Sequence, residues 1–130
     1  MISQYVYVST AQGLSRADVE DILETCARNN VDLGVTGLLL YNGRNFLQLL
    51  EGEGVTLDAL MSKIEEDPRH SGVTTLYEGE KPARDCADWA MKRIVILDEP
   101  QARKKGLDED LPAGLDPSVR ELILNFAILN

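Results

Sequence analysis

Residues 38–52, reading LLLYNGRNFLQLLEG, constrain this chain more than any other stretch. Two apolar runs flank Asn42-Gly43, the dipeptide best suited to a two-residue hairpin turn with positive φ at both positions. In the second run side chains alternate. Phe46, Gln48 and Leu50 share one face, and Leu47, Leu49 and Glu51 share the other. Both runs are apolar on both faces, so their sheet needs cover on both sides. Gln48 places a primary amide between two large apolar residues. Buried without partners, such an amide costs about 1–3 kcal/mol, so the sequence demands a partner for it.

The rest of the chain supplies strands to extend that sheet and helices to cover it. Residues 2–9, ISQYVYVS, alternate and are rich in strand formers, with Val6 and Val8 on one face and Tyr5, Tyr7 and Ser9 on the other. Ser15 is a good helix N-cap, and Asp18 complements the helix dipole in the first turn. Val19, Ile22, Leu23, Cys26 and Ala27 recur at helical spacing to about Arg28, where Asn29 and Asn30 are expected to end the helix. Gly52 and Gly54 release the chain into a second helix over residues 56–66, with Leu57, Leu60, Met61 and Ile64 on one stripe, and Asp67-Pro68 stops it. Residues 73–77 read as a fourth strand, 78–88 as a polar loop and 91–97 as a fifth strand. Residues 99–116 hold prolines, glycines and many charges, an exposed connector. The last helix spans 117–129, with Asp116 as cap, Pro117 at its first position, and Val119, Leu122, Ile123, Phe126 and Ala127 on its apolar stripe.

The order β-α-β-β-α-β-β-α predicts an α+β fold. Its first six elements match the ferredoxin-like, split βαβ arrangement, with the first two helices on one sheet face. A fifth strand is added, and the final helix covers the other face. Residues 1–98 form the core domain in this reading, and 99–130 the connector and helix packed on it.

Composition narrows function by exclusion. The 130 residues suit one domain, and 44 % apolar with 27 % charged residues is a globular balance. A net charge of −9 argues against a nucleic-acid partner, which needs a basic face. No apolar run is long enough for a membrane span, and no signal-peptide series opens the chain. Cys26 and Cys86 lie far apart, which fits a reduced, cytoplasmic setting. With one histidine, they offer no structural zinc site.

Tyr7 and Gln48 lead the candidate residues. If the first and third strands are neighbours, both side chains face the helix layer as a donor–acceptor pair. Two readings stand side by side: a core tyrosine bonded to a structural glutamine, or a pair presented to a ligand. Asn29 and Asn30 read as helix terminators. Asp67, Arg69 and His70 read as a charged loop, Lys63 as a solvated helix position, Trp89 as core and Met91 as a gap-filler. Cys26 falls on an apolar stripe. Cys86 sits between Asp85 and Asp88, whose charges raise a thiol pKa and argue against reactivity. No Ser/His/Asp grouping, phosphate loop or carboxylate pair is present, so the residues describe a binding domain rather than an enzyme.

Taken together, Tyr7-Val8-Ser9, Asn29-Asn30, GVTGLLLYNGRNFLQLLEG over 34–52, Asp67-Pro68-Arg69-His70 and Trp89-Ala90-Met91 resemble the BLUF family, blue-light sensors that hold a flavin. The resemblance spans residues 2–97. It implies a flavin, FAD or else FMN or riboflavin, between the first two helices. Asn30 is then at the polar ring edge with Asn29 beside it, and Ile22 is in the apolar wall. Ser9 is counted with the cofactor-binding residues. Lys63 and Arg69 bring positive charge to the ring carbonyls or phosphates, with Asp67 and His70 nearby. Tyr7 and Gln48 face the reactive edge as the photochemical relay, and Trp89 and Met91 pass the signal on. The resemblance further implies a short, stand-alone, non-enzymatic sensor that acts on a downstream signalling protein, often as a homo-oligomer. Lys63 stands where the family commonly has arginine, and Cys86 where it usually has a large aromatic. Two other readings remain: a flavin-free ferredoxin-like interaction module, and a small flavin reductase, for which no nicotinamide site is present.

Overall fold

A computed structural model describes residues 1–11, 13–68, 71–94, 106–107 and 109–129. The elements are β1 (Ile2–Thr10), α1 (Arg16–Leu33), β2 (Thr36–Tyr41), β3 (Asn45–Gly52), α2 (Gly54–Glu66), β4 (Ser71–Lys81), β5 (Lys92–Arg93) and α3 (Pro117–Leu129). The sheet order is β4-β1-β3-β2-β5. The first four strands pair antiparallel and β5 runs parallel to β2. This is the expected ferredoxin-like α+β sheet with a fifth strand added.

Alternation on the central strands sorts the core into two clusters. Tyr7, Leu39, Phe46 and Leu50 pack with Val19, Ile22, Leu57 and Met61 of α1 and α2. Val6, Leu38, Leu40, Leu47 and Leu49 pack with Val119, Ile123, Phe126 and Ala127 of α3. The final helix therefore covers the second face. Its start is fixed as the sequence indicates, with the Ser118 N–H donating to Asp116 Oδ1 at 2.8 Å. No helix among the described residues is long and apolar enough to cross a membrane.

Four expectations change. First, α1 runs past Asn29 and Asn30 to Leu33. Gly34, in the left-handed region at φ 69°, closes it by donating its N–H to the Asn30 and Val31 carbonyls. The asparagines thus point from a helical surface instead of ending one. Second, the two-residue turn is at Gly43-Arg44 and not Asn42-Gly43, with the Asn42 N–H donating to the Asn45 carbonyl at 3.2 Å. Tyr41 pairs with Phe46, and of residues 42–45 only Gly43 has positive φ. Asn42 contributes through its side chain, whose Oδ1 accepts from the N–H groups of Arg44 (3.0 Å) and Asn45 (2.7 Å). Third, β4 extends to Lys81, because β1 begins at Ile2 and pairs with it there. That pairing overrides the poor strand propensity of Glu78-Gly79-Glu80. Fourth, β5 is short. Residues 95–97, the domain boundary expected at 98 and the start of the connector lie outside the described residues.

Gly37 is needed where β2 meets β3. A Cβ there would stand 1.9 Å from the Leu49 carbonyl oxygen, a backbone atom with no room to retreat. Gly37→Ala is expected to destabilise the protein by about 3 kcal/mol, at the upper end for overpacking. Urea unfolding of the two proteins checks this, and equal midpoints would contradict it.

Candidate functional site

Between α1, α2 and the sheet lies a cleft with a cavity volume of about 130 Å³. Tyr7, Leu39 and Gln48 form its floor. Ile22, Thr25, Cys26, Asn29 and Asn30 come from α1, and Leu60, Lys63, Ile64 and Asp67 from α2 and its end. Ile22, Cys26 and Asn29 follow one another at helical spacing, which is why one face of α1 makes the wall. The result is a slot with apolar sides and polar groups gathered at the floor and the helix ends.

On the floor, register decides the geometry. Tyr7 is directly opposite Gln48 in the β1–β3 ladder. Its hydroxyl donates to Gln48 Oε1. Gln48 Nε2 donates to Met91 Sδ at 3.4 Å. A thioether is a weak acceptor, and the amide carries a second N–H for whatever fills the slot. Asn30 is buried and donates from Nδ2 to the Ala90 carbonyl at 2.8 Å, which leaves its Oδ1 and second N–H for a ligand. Burial, then the nearby Cys26 and Asp67 charges, push the Tyr7 phenol well above its ordinary range. Tyr7 is therefore a neutral hydrogen-bond donor at any physiological pH.

The structure brings together Tyr7, Ile22, Asn29, Asn30, Gln48, Lys63 and Asp67. Met91 is buried in the same cluster. Trp89 is not. It is half-buried against the α3-side cluster, and Lys92 Nζ lies 4.3 Å from its ring centroid. Ser9 is buried but outside the cleft; it lines a separate pocket with Asn45, Gly72 and Phe126. Arg69 and His70 lie outside the described residues. Thr25 and Cys26 were not singled out as site residues, although Ile22 and Asn29 on the same helix face signal both. Cys86 is buried, and its thiol is pushed up first by desolvation and then by Glu51 and Asp85. Both effects disfavour the reactive thiolate, in line with its acidic surroundings.

These features can be set beside known proteins. The family model described as "BLUF: Sensors of blue-light using FAD" matches residues 2–92. The chain belongs to the BLUF family. Photoactivated adenylate cyclase subunit beta of Euglena longa is 39 % identical over 92 residues, covering 69 % of this chain and 11 % of that protein. The blue light- and temperature-regulated antirepressor BluF of Escherichia coli is 38 % identical over 66 residues, 51 % of this chain and 16 % of that one. The chain thus spans only about a tenth to a sixth of these relatives' length, and the activities in their names belong to those proteins. Among solved structures, Klebsiella pneumoniae BlrP1 with FMN and cyclic diGMP superposes with a TM-score of 0.82 at 28 % identity, covering 98 % of this chain and 34 % of that one. The dark-state structure of the BLUF protein BlrB gives 0.70 at 30 %, covering 95 % and 84 %. A BLUF domain is a light-sensing, flavin-binding module rather than an enzyme, and the cleft on this sheet face suits that chemistry.

The raised Tyr7 pKa carries a stability consequence with a definite sign. In the unfolded chain tyrosine ionises near about 10. Below that pH both states hold the proton and the contribution of Tyr7 is complete. Above it the unfolded state loses its proton first, so stability falls as pH rises, by up to about 1.4 kcal/mol per pH unit. Tyr5, held up to about 12 mainly by its hydrogen bond to Asp58, adds to the same trend. Tyr7→Phe is expected to give a shallower alkaline loss of stability in urea unfolding above pH ~10. Parallel curves for the two proteins would show that Tyr7 ionises freely.

Proposed function

We propose that this chain is a blue-light photoreceptor that binds FAD, with FMN or riboflavin as possible substitutes, in the α1–α2 cleft, and switches by rearranging Gln48. The observation that carries the reading is the Tyr7–Gln48 hydrogen bond on the floor of that cleft, with the Gln48 N–H on a weak acceptor. The residues present fit a flavin. Ile22, Leu60 and Ile64 line the cleft and would flank a flat aromatic ring, and Asn30, Asn29 and Gln48 would offer amide groups to its polar edge. Lys63, with Arg69 and His70 beyond Asp67, suits the carbonyl edge or the phosphates. A bound flavin supplies blue-light absorption and, once excited, a strong one-electron oxidising potential.

The remaining chemistry belongs to the protein. Tyr7 is neutral, so it gives up an electron readily only if its proton leaves too. The proton moves from the hydroxyl to Gln48 Oε1 along the bond already present. When electron and proton return, Gln48 is left rotated or tautomerised, with a changed set of partners. Met91 then loses the N–H it accepts in the starting state. Residues 89–94 ladder onto β2 through Gly37 N–H to Trp89 O and Ile94 N–H to Leu39 O, both 2.9 Å. A change at Met91 is thereby passed to Trp89 and the α3 side, where a downstream signalling protein reads it. This is a two-state hydrogen-bond switch biasing a packed element.

Tyr7→Phe is expected to keep flavin bound and abolish the photocycle; normal cycling would remove Tyr7 as donor. Gln48→Ala is expected to keep flavin and lose the light-induced red shift, and a full shift would make the amide a bystander. Asn30→Ala is expected to lower flavin occupancy on purification. The light-minus-dark absorption spectrum of the pure protein tests the whole reading, and a colourless protein favours the flavin-free module instead.

A further inference from the structure

On the sheet face away from the cleft, Glu51 is fully buried. Four donors converge on its carboxylate. Thr36 Oγ1 (2.9 Å) and the Cys86 N–H (2.8 Å) meet Oε1, and Gln4 Nε2 (2.8 Å) and the Asp85 N–H (2.7 Å) meet Oε2. Four charge-assisted bonds satisfy an anion that burial otherwise disfavours. Two of them come from the backbone of one loop. Arg84 ties that loop down again, donating to Thr36 Oγ1, the Glu51 carbonyl and the Gly34 carbonyl.

The loop leads straight to the switch. The Cys86 carbonyl accepts from the Trp89 N–H at 2.9 Å. Ala90 follows, holding Asn30, and then Met91, holding Gln48. Gln48 and Glu51 are three residues apart on β3 and face opposite ways. The contacts therefore close a ring: from Gln48 along β3 to Glu51, across to Asp85 and Cys86, through Trp89 to Met91, and back to Gln48.

We propose that Glu51 is a positioning residue for the switch: from the far side of the sheet, it fixes where Met91 stands against Gln48. The proposal rests on the photoreceptor reading for its significance, but its geometric content is independent of flavin. A glutamine at position 51 presents one acceptor oxygen and one NH2. Two of the four donors then face hydrogens, and the loop must shift.

The test is methyl NMR of the full chain, labelled at its three methionines and kept dark. Glu51→Gln is expected to move the Met91 methyl resonance and leave those of Met61, in the α2 core, and exposed Met1 in place. It is also expected to change the dark-recovery rate severalfold. Loss of stability alone lowers the melting temperature without singling out Met91. Arg84→Met, at a half-buried site, is expected to move the Met91 methyl in the same direction by less, and it decides the matter if Glu51→Gln does not fold. An unmoved Met91 methyl in the folded variants, or equal movement at Met61, overturns the proposal. A wild-type protein that fails to cycle in blue light refutes the photoreceptor reading, while the methyl shifts still report on Glu51.

Discussion

A single buried amide sets the terms for this molecule. Gln48 must be on the dry face of β3, because alternation puts it between Phe46 and Leu50, and it must be satisfied there. Tyr7 satisfies its oxygen with a good donor, while Met91 takes its N–H with a poor acceptor. The two ends are unequal. A phenol can donate or accept, so the amide can turn over and still keep a bond to Tyr7. What it gives up at Met91 is small. Two arrangements of the same residues therefore lie close in free energy, the condition for a two-state element that a modest input can tip.

The sheet keeps that element separate from its readout. On the α1–α2 face the side chains leave a slot, since Thr25, Cys26 and Asn30 are too small to close it against Leu60 and Ile64. On the α3 face packing is continuous from Val6 to Ala127. Around the Glu51 carboxylate it is polar but fully bonded. A close-packed face transmits displacement, whereas a slot absorbs it. Among the described residues, the strands and the 84–91 loop connect the slot to the other side of the sheet.

Much of this was legible in the sequence because it depends on period two. The faces of β1 and β3, the pairing of Tyr7 with Gln48 and the two-sided cover follow from alternation and element order. What was hidden depends on tertiary context. Asn30 looks the same whether it ends a helix or lines a cleft, and only the left-handed Gly34 decides. Glu51 was assigned to a face correctly, but nothing local says that Gln4, Thr36 and two backbone N–H groups wait for it 15 to 47 residues away in sequence. Trp89 and Met91 come just before β5, where the Trp89 N–H bonds the Cys86 carbonyl in a turn, so their opposite orientations do not follow from strand alternation and could not be read from it.

The size of the output is bounded by the same bonds that make it possible. A neutral hydrogen bond contributes about 0.5–1.5 kcal/mol net, and coupling between sites is commonly about 1–3 kcal/mol. On the proposed mechanism, a change of partner at Gln48 shifts a downstream equilibrium by roughly 5- to 150-fold at most, and only if little is lost on the way. A floppy connection between Met91 and the α3 face would dissipate that amount. A buried carboxylate with every lone pair engaged, pinning the loop that carries Met91 to the strand that carries Gln48, makes the connection stiff. If Gln48 is the proposed switch, the cost of burying this charge is offset in function, because Glu51 holds a weak signal in register across the sheet.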